Sequence, residues 1–235
     1  MKQLIFFIFT TLLFAHDTPY SQEKFQDILN VSKLQAPKSS FDALYSVKYG
    51  NFADYSNKYF YLQDGKYMVF FMCGKKHRSE LRMKKEWKVD TKKSISLHAR
   101  VKLFPLNAKR EFTFLQIHAD SNLKNSINKT LLRIAWMKEL HNLKNHIWAV
   151  IRKSPNVYKQ SYEKVDLGLM PKEFFDIKIV VKTNKLNIIV DSTKKYIFDI
   201  SYWSRYYNYF KAGVYLQDDG CAKVLFDKLG TKGLK

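Results

Sequence analysis

Apolar and polar side chains alternate with a period of two along most of the chain after residue 41. Because successive side chains of a strand point to opposite faces of a sheet, this alternation predicts β-strands buried on one face. Polar segments that contain Gly or Asp separate the stretches, and helical periodicity is nearly absent. The predicted strands are Tyr67–Met72, Arg78–Arg82, Ser94–Phe104, Glu111–His118, Leu131–Lys138, His146–Arg152, Phe175–Lys182, Lys185–Asp191, Tyr196–Ile200, Tyr209–Gln217 and Lys223–Leu229.

Many short strands at this spacing predict an all-β sandwich or barrel. No linker rich in Pro, Gly or Ser interrupts residues 41–235, so these residues are expected to form one domain. Residues 16–40 are more mixed and are interpreted as an N-terminal extension. Within it, a short helix is predicted around Gln22–Leu34, followed by a loop.

The first 15 residues have the pattern of a secretory signal peptide. Lys2 precedes an apolar run, Leu4–Ala15, that ends in a small residue. The run is too short to span a membrane as a helix, which needs roughly 20 residues. The alternative is a buried N-terminal strand or helix. The signal-peptide interpretation predicts a secreted or periplasmic protein.

The net charge of the chain limits the kinds of molecule that it is expected to bind. The 235 residues contain 41 Lys and Arg against 21 Asp and Glu, a formal net charge of +20. The hydrophobic fraction of 46% is that of a folded protein and excludes a chain kept disordered by its charge. The electrostatic field of a surface with this excess of positive charge attracts nucleic acid, anionic membranes or acidic polysaccharide. An exported protein meets acidic polysaccharides rather than nucleic acid, and we expect no membrane binding after the leader is removed.

The chain has two cysteines, Cys73 and Cys221, each at a strand end. In an oxidising compartment they can pair if those strands are neighbours, and two buried free thiols are the alternative. The six histidines show no ligand spacing around the cysteines, so no metal site is predicted.

The first strand with unusual chemistry is Arg78–Arg82. Its period of two places Arg78, Glu80 and Arg82 on one face, with Leu81 and Met83 on the other. Guanidinium groups bind carboxylates through two parallel hydrogen bonds. An ordinary solvated charged face is the alternative.

The second such strand is Glu111–His118. Here Gln116 and His118 are predicted to share a face with Phe112 and Phe114. An amide can hydrogen-bond a carboxyl group, and an imidazole can accept a proton near neutral pH. A satisfied polar strand end is the alternative.

The third strand is Tyr209–Gln217. Its even positions are apolar, whereas its odd positions are Tyr209, Lys211, Gly213, Tyr215 and Gln217. The glycine is expected to let another group approach the backbone closely. Two tyrosines and a lysine beside that gap would suit a negatively charged sugar chain.

Together, Arg-Ser-Glu-Leu-Arg, Gln-Ile-His and Tyr-Phe-Lys-Ala-Gly-Val-Tyr-Leu-Gln resemble the three signature strands of the alginate lyases of polysaccharide lyase family 7. The resemblance covers roughly residues 41–229. One departure is Leu216, where the family usually has Asn. The resemblance implies a β-jelly roll of two antiparallel sheets with a concave substrate groove. It also implies β-elimination at a 4-linked uronic acid without a metal or organic cofactor.

The resemblance also implies roles for individual side chains. Arg78 and Gln116 would neutralise the substrate carboxylate, His118 would be the base or a neutralising partner, and Tyr215 the acid. For one C5 epimer, Tyr215 would serve as both base and acid. The residues implied in substrate binding are Glu80, Arg82, Tyr209, Lys211 and Gln217. A second role for Glu80 is to hold the two arginines in place.

Several alternatives stay open from the sequence. Ile117, between Gln116 and His118, favours guluronate-containing blocks by resemblance. A glycoside hydrolase would need two carboxylates on either side of the glycosidic bond, and Glu80 and Glu111 are the only candidate pair. A non-catalytic acidic-glycan-binding jelly roll, or a lyase for another polyuronate such as glucuronan, would keep much of the same groove. We expect a monomer.

Overall fold

The structure is a computed structural model that describes residues 18–38, 45–119, 127–156 and 161–234. The predicted signal peptide lies outside the described residues. No helix in the described ranges is long and apolar enough to cross a membrane.

Two antiparallel sheets of seven strands each make up the fold, which confirms the predicted jelly-roll sandwich. The only α-helix among the described residues is α1, Glu23–Asn30. Single turns of 3-10 helix lie at Pro19–Ser21 and Ser201–Trp203. The strands are β1 Ser32–Gln35, β2 Phe60–Gln63, β3 Tyr67–Cys73, β4 Arg78–Met83, β5 Ile95–Phe104, β6 Glu111–Ala119, β7 Thr130–Leu140, β8 Leu143–Arg152, β9 Tyr162–Leu169, β10 Phe175–Lys182, β11 Lys185–Val190, β12 Lys194–Asp199, β13 Asn208–Leu216 and β14 Cys221–Lys232.

The first sheet has the order β1-β4-β13-β6-β7-β8-β9, and the second has the order β12-β11-β10-β5-β14-β3-β2. One continuous apolar core fills the space between them. It contains aromatic side chains such as Phe70, Phe112, Phe210 and Phe226, all without solvent exposure. Each sheet therefore has one core face and one outer face, and the outer face of the first sheet is called the groove face below.

The N-terminal extension contributes to the first sheet. The predicted helix is present but ends at Asn30, so the expectation that it continues to Leu34 was wrong. Ser32–Gln35 instead pair with β4, from Ser32 opposite Met83 to Gln35 opposite Glu80. The edge of β4 offers these residues backbone partners, and Leu34 enters the core, so tertiary pairing outweighs the local helical pattern.

Strand β6 differs from the prediction in the direction of its aromatic side chains. Phe112 and Phe114 lie in the core and do not share the groove face with Gln116 and His118. A register shift between Thr113 and Leu115 adds one residue to the strand. This bulge reverses the alternation, because a one-residue insertion exchanges the two faces of a strand.

Besides β1, two further strands were not predicted, β2 and β9. Strand β2 has four residues, which is too short for a periodic signal. Strand β9 is charged and only partly buried at the sheet edge, so its alternation in hydrophobicity is weak. Both pair with a single neighbouring strand, β3 and β8 respectively.

Candidate active site

The three predicted signature strands are neighbours in the first sheet, with β13 between β4 and β6. Lys211 of β13 lies opposite Arg82 on one side and Gln116 on the other. Tyr209 lies opposite His118, and Tyr215 lies opposite Arg78. Segments distant in sequence thus place all the predicted site residues on, or directly beside, one region of the groove face.

The centre of this region is the carboxylate of Glu80, which has no solvent exposure. Its Oε2 accepts a hydrogen bond from Lys211 Nζ at 2.6 Å. Its Oε1 accepts one from Gln116 Nε2, and Arg78 Nη1 lies 3.7 Å from Oε2. Glu80 therefore connects a lysine, an amide and an arginine, which fixes the orientation of each.

Lys211 lies beneath the groove face rather than on it, since only 2% of the residue is exposed. Burial lowers the pKa of Lys211 to about 8, and the nearby Glu80 carboxylate opposes that shift. A buried ammonium group in contact with a buried carboxylate forms an ion pair that rigidifies its neighbours. In this geometry Lys211 acts on Glu80, and its predicted contact with substrate would require rearrangement.

Two arginine–tyrosine stacks flank the Glu80 cluster. The Arg82 guanidinium carbon lies 3.9 Å from the ring centroid of Tyr209, and that of Arg78 lies 4.3 Å from the centroid of Tyr215. Arg82 also donates to Glu86 Oε1 at 2.9 Å and to the Tyr49 hydroxyl. Stacking on an aromatic face holds a guanidinium plane while leaving edge N–H groups for a ligand.

His118 has a defined tautomer. Its Nδ1 lies 2.7 Å from the Ala119 carbonyl oxygen, which can only accept, so Nδ1 carries the proton and Nε2 keeps a free lone pair. The Tyr209 ring stacks on the imidazole, with its hydroxyl 3.2 Å from Nδ1. Burial is the main reason that the pKa of His118 falls to about 3, and the charge of Lys211 adds to it. The imidazole is thus neutral at any pH near 7.

Gly213 is required by strand packing and not by a ligand. It has φ +145°, and a Cβ atom would lie 2.2 Å from the Ser79 carbonyl oxygen and 2.7 Å from Glu80 Cα. The expected close approach exists, but the approaching group is the backbone of β4. The absence of a side chain lets β13 lie against Glu80, and a register shift relative to β6 follows between Ala212 and Tyr215.

Gln217 follows β13 and lies at the end of the site. Its Nε2 donates to Thr113 Oγ1 at 2.7 Å. It lines a cavity of about 300 Å³ together with three basic and three acidic residues, which are Lys75, Arg110, Lys164, Glu111, Glu139 and Asp218. This cavity extends the groove face beyond Tyr215 towards β7 and β9.

Sequence reasoning missed Arg133, which belongs to the same surface. It lies opposite Gln116 on β7, and its Nη1 donates to Glu111 Oε1 and Thr113 Oγ1, both at 3.3 Å. Glu111 is thus engaged by Arg133, whereas a hydrolase would need this carboxylate to act on the substrate. A single arginine in the otherwise apolar run Leu131–Met137 is the signal that would have identified it.

Cys73 and Cys221 form a disulfide across the paired strands β3 and β14. Next to it, His77 Nδ1 lies 2.9 Å from the Cys73 carbonyl oxygen. Cys73 lies five residues before Arg78 in the chain, so the link anchors the segment that leads into β4. Among the described residues, no group of three His, Cys, Asp or Glu side chains could hold a metal ion.

Residues 28–232 match the family model described as alginate lyase. The chain belongs to the alginate lyase family. A curated alginate lyase from Photobacterium sp. is 29% identical, over 90% of this chain and 86% of that protein. The solved structure of alginate lyase AlyC3 is 30% identical with a TM-score of 0.83, covering 94% of this chain and 97% of that one. Alginate lyase A1-II', of polysaccharide lyase family 7, shares the fold at 18% identity and a TM-score of 0.71, covering 87% and 95%. Members of this family are polysaccharide lyases, and so is this protein.

Proposed function

We propose that this protein cleaves alginate by β-elimination and leaves an unsaturated uronate at the new non-reducing end. One observation supports this proposal more strongly than the others. The groove face of this alginate lyase family member carries a neutral imidazole, His118, and a tyrosine, Tyr215, that stacks with Arg78. A binding module needs the arginine, but it has no use for the other two.

The first chemical task is to make the C5 proton acidic. That proton lies next to a carboxylate, and its removal places further negative charge on the carboxyl oxygens. We assign the neutralisation of this charge to Arg78 and Gln116. Glu80 orients both, and one Gln116 N–H bonds to Glu80, which leaves the second N–H for the substrate. Donors fixed before the reaction lower the barrier, because they need no reorganisation as the charge develops.

The second task is proton transfer. We assign Tyr215 as the acid that protonates the leaving glycosidic oxygen, and His118 Nε2 as the acceptor of the C5 proton for one epimer. For the other epimer, Tyr215 takes both roles and His118 helps to neutralise charge. A pKa of about 3 makes the free imidazole a weak base. A bound uronate carboxylate would offset the charges of Lys211 and its neighbours, which raises that pKa when substrate is present.

The remaining predicted residues fall into two groups. We assign Arg82, Tyr209 and Gln217 to substrate binding, because each keeps more exposure than Glu80 or Lys211. Glu80 and Lys211 are buried, and we assign them to positioning Arg78 and Gln116. No step in this scheme requires a metal or an organic cofactor.

The preference for guluronate-containing or mannuronate-containing blocks of alginate is predicted from Ile117 by resemblance alone. Ile117 favours guluronate-containing substrate by resemblance, but its side chain is in the core and cannot contact a sugar. The AlyC3 structure with dimannuronate, 28% identical, favours mannuronate instead. We keep guluronate-containing blocks as the prediction, which higher activity on polymannuronate would contradict.

The test is an absorbance assay on a panel of polyuronates. Elimination creates a conjugated C4–C5 double bond with new ultraviolet absorbance, whereas hydrolysis creates none. Alginate, polymannuronate, polyguluronate and glucuronan are incubated with the protein, and absorbance and viscosity are followed together. We expect absorbance to rise with alginate. Viscosity loss without absorbance would indicate a hydrolase, no change in either would indicate a binding module, and absorbance with glucuronan alone would indicate another polyuronate lyase.

We further propose that the mature protein comprises an extension of residues 16–40 and a domain of 41–235, released outside the cytoplasm as a monomer. The signal-peptide pattern of residues 1–15 supports export. N-terminal sequencing of the exported protein and size-exclusion chromatography test these two statements.

A further inference from the structure

The outer face of the second sheet carries a cluster of lysines far from the groove face. Alternation on β10 and β14 directs Lys178, Lys228 and Lys232 outwards, and all three are exposed. Their neighbours Ile177, Ile179 and Leu229 enter the core between the sheets. The two faces of the molecule are therefore separated by the full thickness of the sandwich.

The strand register brings these lysines around one residue, His98 of β5. Lys178 lies opposite His98 on one side, and Gly230 lies opposite it on the other, between Lys228 and Lys232 along β14. Gly230 has no side chain, and a Cβ there would lie 2.7 Å from His98 Cε1, so the ring occupies this position. Burial and then the charges of the three lysines lower the pKa of His98, although Asp176 opposes the shift.

The carboxylates on this face are already engaged. Asp176 bonds Arg100 at 2.6 Å, and Asp227 bonds Lys24 at 3.1 Å and lies 3.7 Å from Arg100. Glu173 bonds Lys102 at 2.9 Å. Within the described ranges, no carboxylate lies within ion-pair distance of the three lysines around His98. Like charges on adjacent strands repel one another, so their accumulation favours an external anion.

A shallow depression of about 360 Å³ lies beside this cluster. Its lining includes His98, Asp176, Lys178 and the apolar side chain of Ile189. Outward positions on one strand are two residues apart, roughly 7 Å, so Lys228 and Lys232 present charges about 13 Å apart. A flexible polymer with a carboxylate on every sugar can meet several such charges at once.

We propose that Lys178, Lys228, Lys232 and His98 form a second binding surface for acidic polysaccharide, which holds the protein on the polymer while the groove face acts on it. The choice of alginate as that polymer rests on the proposed function. A membrane partner would require large, fully exposed apolar side chains for insertion beside the lysines, whereas Val180 and Ile189, the apolar residues next to Lys178, are partly buried. A single-stranded nucleic acid would require stacking aromatics. The described outward residues of β10 and β14 that flank His98 include no aromatic ring.

The experiment compares two triple variants that lose the same charge. One carries Lys178→Gln, Lys228→Gln and Lys232→Gln. The control carries Lys58→Gln, Lys66→Gln and Lys144→Gln, three exposed lysines beside β2, in the β2–β3 turn and on β8, away from β10, β5 and the part of β14 that holds the cluster. Both are made in the Tyr215→Phe background and tested for retention on calcium alginate beads at low salt, with short alginate oligosaccharides in excess to occupy the groove.

We expect the outer-face variant to bind the beads roughly tenfold more weakly than the control, because three exposed ion pairs are lost. With Tyr215 restored, kcat/KM on short oligosaccharides should be equal in both variants. Equal retention of the two variants would overturn the proposal, as would complete release of the parent protein by oligosaccharide. If the outer-face variant lost as much binding to anionic vesicles or to DNA as to alginate, the proposal would also be overturned. The lysines would then attract any polyanion through their charge alone. Retention does not require cleavage, so a protein inactive on alginate would refute the proposed function separately.

Discussion

The groove face and the outer face of the second sheet are both basic, but they hold their charges differently. On the groove face, Lys211 is buried against Glu80, and Arg78 is stacked on Tyr215. On the outer face, Lys178, Lys228 and Lys232 extend into solvent with no described carboxylate partner. Fixed cations can stabilise charge at one atom of a substrate, whereas mobile exposed cations provide a field that salt screens. Net charge alone therefore says little about which lysines belong to a site.

The largest effect is expected when one hydroxyl oxygen is removed from the groove face. Tyr215→Phe should lower kcat on alginate about 10²- to 10⁴-fold, because the leaving oxygen loses its proposed proton donor. The phenyl ring can still stack on Arg78, so polymer binding should change little. Tyr207→Phe, at a tyrosine that is 46% exposed, is the control and should keep full activity. Full activity in Tyr215→Phe would refute the assigned acid.

The next prediction compares a buried ion pair with an exposed one. Glu80→Gln should lower kcat/KM roughly 10- to 100-fold, as expected when a residue that orients substrate-binding groups is lost. It should also lower the free energy of unfolding by about 3–5 kcal/mol, because Lys211 loses its buried partner. Glu173→Gln breaks the exposed pair with Lys102 and should change stability by less than about 1 kcal/mol.

Activity and urea unfolding are measured for both glutamate variants well below their melting temperatures. A purely structural role for Glu80 would change stability while leaving kcat/KM of the folded fraction intact. Equal stability losses in the two variants would show that burial makes no difference between the two faces.

The smallest expected effect concerns pH. The pKa of His118 is about 3 in the folded protein against an ordinary value of 6.5, so the unfolded chain binds more protons between these values. The free energy of unfolding should therefore fall as the pH drops through this window, and His118 should contribute no dependence above it. His118→Gln should reduce this fall by roughly 1–3 kcal/mol, less than the full shift implies because the ring is partly exposed.

Urea unfolding at about pH 4.5 and about pH 7 measures the His118 effect. His141→Gln, at an exposed histidine in a turn, serves as the control. The same difference between the two pH values in wild type and His118→Gln would contradict the neutral, half-buried imidazole.

Much of the fold was predictable because burial on one face of a sheet imposes a period of two on the sequence. Strands such as β5, β10 and β13 were identified in this way, and the three motifs placed Arg78, Glu80, Gln116, His118 and Tyr215 in one site. Predictions failed where an inserted residue or a short edge strand breaks the period. The bulge near Phe114 reversed a face of β6, and Ser32–Gln35 became a strand only because β4 offers it a partner.

The sequence by itself determined the all-β architecture, the family and the set of candidate site residues, because alternation and motif order are local properties of the chain. Only the tertiary structure decided which charges are fixed. It buried Lys211 on Glu80, set the tautomer of His118 against the Ala119 carbonyl, and filled the gap at Gly213 with the β4 backbone. These features depend on contacts between β4, β6 and β13, which are far apart in sequence, and no pattern within a single strand specifies them.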